Sequence, residues 1–164
     1  FNMLGPLTNP AAASCQLLGV FAPQLTEMFA QALQLLGVKK AFVVHGHDGM
    51  DEITTTALTR VTELNHDIIK SYDLDPLDFF SEYASPEDLK GGDVQTNAEI
   101  TRAILKGDQG PRQDVVLLNA GAALVAADMA PSISKGIDLA REAIDSGKAF
   151  QKLEALAAYT RENG

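Results

Sequence analysis

The sequence predicts an α/β domain, a sheet with packed helices that passes into a helical last third. Three observations carry this. Residues 16–46 read as strand, helix, strand, the pattern of a parallel crossover unit. Thr59–Leu64 and Ile68–Leu74 then alternate as two further strands. From Asp93 onward, apolar residues recur at helical spacing.

Taken in order, Gly5 to Ser14 is rich in Gly, Pro and small residues and reads as a loop. Gln16–Phe21 is a short apolar run suited to a buried strand. Pro23 stands where the first turn of a helix tolerates it. Leu25, Met28, Phe29, Ala32, Leu35 and Leu36 then share one helical face, with Gly37 as the stop. Ala41–Val44 is apolar and partly β-branched, a second buried strand. Asn65-His66-Asp67 is a hairpin turn between the two alternating runs. Residues 75–92, with Pro76, Pro86 and Gly91-Gly92, read as an irregular connection. Asp93 caps a helix whose inner face includes Ile100, Ala103 and Ile104. After a turn at 106–112, Val115, Leu118, Ala122 and Val125 mark a buried helix. Asn119 lies within that face and needs a hydrogen-bond partner. Ile137, Ala140 and Ile144 mark another helix ending at Gly147, and Phe150, Leu153 and Leu156 a last one.

The 164 residues, 46% apolar, are ample for a sizeable core. The net charge of −9 argues against a nucleic-acid binder, which needs clustered Lys and Arg. That charge is local. Residues 48–93 hold twelve acids and three bases, so this stretch alone carries −9, and the remainder is neutral. The single Cys15 allows no internal disulfide and no cysteine-based zinc cluster; beside small residues it reads as a buried, inert thiol. The longest apolar window, Val115–Ala127, falls short of the ~20 residues of a membrane span. Without a signal-like N-terminus, and with an acidic composition, the expected compartment is the cytoplasm. The first residue is Phe1 rather than Met, and the expectation is that processing or truncation has removed something.

The chemistry-bearing candidate is Asp48-Gly-Met-Asp51-Glu52, directly after a strand's carboxyl end, where open α/β sheets bind ligands. Three carboxylates in five residues repel one another unless a cation compensates. Hard oxygen donors suit Mg²⁺, which takes one or two carboxylates plus substrate phosphates. The alternative is a solvated turn with Asp51 or Glu52 near a helix N-terminus. His45, at the same strand end, reads as a hydrogen-bonded structural residue rather than a general base. Gly91-Gly92-Asp93 reads as a structural turn, because Asp93 would occupy the helix cap and repel an anion.

Several segments, in order, resemble the anthranilate phosphoribosyltransferase family. They are Phe1-Asn2-x-Leu4-Gly5-Pro6-Leu7-Thr8-Asn9-Pro10; Gln16-Leu-x-Gly19-Val20; Val43-Val44-His45-Gly46-x-Asp48-Gly49-x-Asp51-Glu52; Gly91-Gly92-Asp93 with Asn97; and Val116-Leu-Leu-Asn119-Ala120. The resemblance implies an α/β domain of the nucleoside phosphorylase/phosphoribosyltransferase type. It implies transfer of phosphoribosyl from 5-phosphoribosyl 1-pyrophosphate to anthranilate, in tryptophan biosynthesis, with Mg²⁺ required. Asp51 and Glu52 map onto the family's metal-holding pair, and Gly5 and Pro6 onto the loop bordering the anthranilate site. Family members are homodimers through an N-terminal helical domain.

That helical domain, the glycine-rich phosphate loop, the diphosphate-binding Lys, Ser and Thr, and the anthranilate-binding Arg have no counterpart here. Residues 1–164 are therefore expected to be the C-terminal portion of the α/β domain, inactive alone and without catalytic residues of their own. Two other readings are a pyrimidine nucleoside phosphorylase-type enzyme and a non-catalytic nucleic-acid-binding paralogue. The combination of GPLTNP with DGMDE disfavours the first, and the charge of −9 the second.

Overall fold

The structure, a computed structural model, describes residues 5–10 and 13–164. The expected matches at Phe1, Asn2 and Leu4 lie outside the described residues. A short 3-10 helix, Gly5–Leu7, leads into β1 (Cys15–Gly19), α1 (Leu25–Leu35) and β2 (Lys40–Gly46). β1 and β2 pair in parallel, as the crossover pattern predicts. β3 (Thr59–Asn65) then runs antiparallel to β2, and β4 (Ile68–Leu74) antiparallel to β3. The result is one mixed sheet of four strands in sequential order. His66 takes the left-handed conformation (φ 54°) that closes the β3–β4 hairpin.

Alternation along β2 sorts the core into two layers. Ala41 and Val43 face α1, packing with Phe29, Ala30 and Leu33. Phe42 and Val44 face the opposite side, packing with Leu117, Leu118 and Ala122. Both faces of the strand are buried, which is why it reads as a continuous apolar run. β1 departs from expectation. It ends at Gly19, and Phe21 is exposed, because Ala22 and Pro23 already accept the first turn bonds of α1 from Leu25 and Thr26. All five β1 residues are half-buried rather than buried, since among the described residues the strand pairs on one edge alone. Cys15 is accordingly half-buried too, not a core thiol.

The helical part comprises α2 (Val94–Leu105), α3 (Pro111–Ala126), α4 (Ile133–Asp145) and α5 (Lys148–Asn163). Asp93 caps α2, accepting from the Thr96 amide at 2.8 Å. No α2 residue is buried, and Ile100, Ala103 and Ile104 are half-covered. α3 buries Gln113, Leu117, Leu118, Gly121, Ala122 and Ala126, so Val115 and Val125 stand at the margins of the face rather than in it. α3 and α4 meet backbone to backbone. A Cβ on Gly136 would stand 2.3 Å from the Gly121 carbonyl oxygen. The connection over 75–92 holds a short 3-10 helix, Pro76–Asp78, and is pinned to α3 by Arg112. Its Nε donates to Asp88 O at 2.9 Å and its Nη2 to Lys90 O at 2.8 Å.

Candidate functional site

The loop leaving β2 turns back at once. The Gly46 amide donates to Met50 O at 2.8 Å, and Gly49, at φ 97°, donates to Gly46 O at 2.9 Å. A Cβ on Gly46 would stand 2.4 Å from Asp48 Oδ1. A side chain at 46 would therefore have to displace the Asp48 carboxylate, which folds into the loop.

Asp48 is the organiser of this turn. Its Oδ1 accepts from the Met50 amide at 3.1 Å, and its Oδ2 accepts from the Thr54 hydroxyl at 2.6 Å and from the Thr56 hydroxyl. Burial alone would push this carboxyl up. The Thr54 and Thr56 hydroxyls and the Met50 amide outweigh burial and hold it below the usual carboxylate range. The expected three-carboxylate cluster therefore separates. Asp48 is spent on structure, while Asp51 and Glu52 stand exposed, with neither a hydrogen bond nor an ion pair among the described residues.

The backbone beneath the exposed pair is held on both sides. Asp51 lies against Gly19 at the end of β1, so close that a Cβ on Gly19 would be 1.5 Å from the Asp51 carbonyl oxygen. Ile53, fully buried, is clasped by Asn119 of α3. Asn119 Oδ1 accepts from the Ile53 amide at 3.0 Å, and Nδ2 donates to Ile53 O at 2.7 Å and to Val115 O at 2.9 Å. This is the partner that the sequence demanded for Asn119 without identifying it. Beyond Ile53, the Thr54 amide donates to Thr59 Oγ1 at 3.1 Å.

His45 has the expected structural role. Its Nδ1 lies 2.8 Å from the Val20 carbonyl oxygen, and since a carbonyl only accepts, Nδ1 carries the proton. The bond ties the end of β2 to the segment leaving β1. Gly5 and Pro6 lie elsewhere. Pro6 O accepts from Gln16 Nε2 at 3.5 Å, near the start of β1. Gly19, beside Asp51, is three residues further along that strand, roughly 10 Å at strand rise. Pro6 thus meets β1 at Gln16, whereas Asp51 meets it at Gly19.

Two adjacent, unpartnered carboxylates fit a hard divalent cation that draws its remaining ligands from water or a substrate phosphate. Among the described residues no group of three His, Cys, Asp or Glu could close a cage around a metal. The donor set thus suits a shared, substrate-assisted Mg²⁺ site rather than a closed structural one. Residues that the spacing missed are Thr54 and Thr56, which engage Asp48, and Arg112. The run Thr54-Thr55-Thr56 directly after the acids was the available signal for the first two.

Residues 1–150 match the family model described as "Glycosyl transferase family, a/b domain". An anthranilate phosphoribosyltransferase of Desulfosudis oleivorans is 62% identical over all of this chain and 49% of its own length. The crystal structure of an anthranilate phosphoribosyltransferase from Thermus thermophilus superposes with a TM-score of 0.87 at 42% identity, covering 97% of this chain and 47% of that one. A Saccharomyces cerevisiae anthranilate phosphoribosyltransferase in complex with PRPP and Mg superposes with a TM-score of 0.79 at 30% identity, covering 92% and 44%. The chain spans about half the length of the curated relatives it matches.

Proposed function

The chain belongs to the glycosyl transferase family defined by this a/b domain, and from that premise we propose that its parent protein transfers phosphoribosyl from 5-phosphoribosyl 1-pyrophosphate to anthranilate. Within that protein, residues 1–164 form the C-terminal portion of the α/β domain. A helical domain and the phosphate-binding loop come from residues outside this segment. The observation that carries the reading is the Asp51–Glu52 pair, unpartnered and exposed beyond β2, on a backbone fixed by Gly19 and Asn119. The names borne by relatives at up to 62% identity support it further.

Asp51 and Glu52 are the residues that would hold Mg²⁺ beside the pyrophosphate. When bound, the ion supplies neutralising charge to the departing pyrophosphate. The protein's part is positional. The two carboxylates keep their oxygens free because Asp48, Asn119 and Gly19 hold the loop without them. No covalent nucleophile is required, since breaking the C–O bond asks mainly for orientation and preorganised charge. Gly5 and Pro6 would border the anthranilate once the rest of the domain is in place.

The same reading makes the parent a cytoplasmic homodimer, joined through the helical domain, with neither nucleic acid nor membrane as partner. The charge of −9 supports the exclusion of nucleic acid. Among the described residues, no helix is long and apolar enough to cross a membrane. The deciding experiment assays the full-length protein with 5-phosphoribosyl 1-pyrophosphate, anthranilate and Mg²⁺. Formation of phosphoribosyl anthranilate and pyrophosphate is expected. Phosphorolysis of thymidine without that product, or tight DNA binding at low salt without turnover, would overturn the assignment.

A further inference from the structure

We propose that Asn119 is a positioning residue that presets the Asp51–Glu52 pair for a divalent cation before any substrate arrives. The proposal rests on the metal-holding reading of that pair. The two side chains have no partners of their own among the described residues, so the peptide beneath them decides where their oxygens can reach. Asn119 controls the C-terminal side of that peptide. Its amide takes both the N–H and the C=O of Ile53, at 3.0 and 2.7 Å, and these are the groups adjoining Glu52 and Thr54.

A single planar amide that engages both peptide groups of one residue fixes its orientation as well as its distance. Asn119 is itself fixed. Its third bond, to Val115 O at 2.9 Å, locks the side chain against its own helix, and its neighbours Leu117 and Leu118 are fully buried. The clasp therefore runs from the core of the domain to the metal-facing loop. On the N-terminal side, the Gly19–Asp51 approach and the Gly46–Met50 bond do the same work. With the backbone held at both ends, the two side chains start from a fixed pair of Cα positions.

A merely structural Asn would affect stability alone. A positioning Asn also changes how the site takes metal. The test uses the full-length protein and follows Mn²⁺ by the loss of its free EPR signal, with 5-phosphoribosyl 1-pyrophosphate present. For Asn119→Ala the expected result is Mn²⁺ affinity lowered about 10- to 100-fold, the range seen when supports of a ligand are removed. Affinity within about twofold of wild type, in a folded variant, overturns the proposal. Asp51→Asn with Glu52→Gln is the control. If that double variant keeps its Mn²⁺ affinity, the metal reading itself fails. If it loses affinity and Asn119→Ala does not, the positioning role alone fails. Should Asn119→Ala not fold, hydrogen exchange on the wild-type protein decides. Slow exchange of the Ile53 amide without metal or substrate supports presetting. Fast exchange that slows only when both are added refutes it.

Discussion

Gly19 and Asp51 touch through their backbones, so closely that even a methyl group on Gly19 would stand 1.5 Å from the Asp51 carbonyl oxygen. β1 and the acidic loop thus share one packing contact, and glycine at 19 is a condition of the loop's path. Gly19→Ala should push the Asp51 backbone outward. The expected cost is about 1–3 kcal/mol of stability, typical of forcing atoms into a filled site. Denaturant titration of the full-length protein measures this. An unchanged midpoint would mean that the loop yields freely and that the contact is incidental.

Asp51 and Glu52 should behave in the opposite way. They are exposed and without partners, so replacing them with Asn and Gln removes mutual repulsion and no contact. Stability without metal should stay within about 0.5 kcal/mol of wild type. Mg²⁺-dependent turnover should fall sharply and demand more metal. Unchanged metal dependence would remove both residues from the role assigned to them.

The contrast between these positions shows what a sequence can and cannot disclose. β2 was legible as a continuous apolar run, β3 and β4 by local alternation, and the cap at Asp93 by a three-residue span. The acidic pair was legible by position, at a strand's carboxyl end. The separation of Asp48 from that pair was not, because it depends on two threonines six and eight residues later turning back onto it. Nor was the Asn119–Ile53 clasp, which joins residues 66 apart. Spacing could say that Asn119 required a partner, but only the docking of α3 on the sheet could choose one. The half-buried state of β1 was hidden for a related reason. Burial of an apolar strand depends on its neighbours, and its composition does not reveal how many it has.

Gly121 and Gly136 offer a test of that docking. The gap left by two missing side chains lets α3 and α4 approach until a Cβ on Gly136 would stand 2.3 Å from Gly121 O. Gly136→Ala should separate the helices and disturb the layer around Leu117 and Leu118. A loss of about 1–3 kcal/mol is expected, despite alanine's better helix propensity of roughly 1 kcal/mol. A stabilised variant would show that propensity outweighs the contact.

Asp48 predicts a pH dependence. Its folded carboxyl is held below the usual range, whereas in the unfolded chain it titrates near the ordinary value of about 3.9. A depressed folded value means that ionised Asp48 stabilises the fold at every pH above that ordinary value. The contribution is lost as pH falls through the lowered folded value. Asp48→Asn keeps one acceptor oxygen but not the charge that two hydroxyls and an amide address. At pH 7 the variant should therefore be less stable by about 1 kcal/mol, discounted for the solvent around this exposed residue. Other carboxylates also protonate in acid, so the informative quantity is the difference between the two proteins, followed by thermal unfolding from pH 7 to pH 3. That difference should be constant at neutral pH and begin to shrink below about pH 4. A gap that stays level down to the acid limit would mean that shape, not charge, lets Asp48 hold the loop.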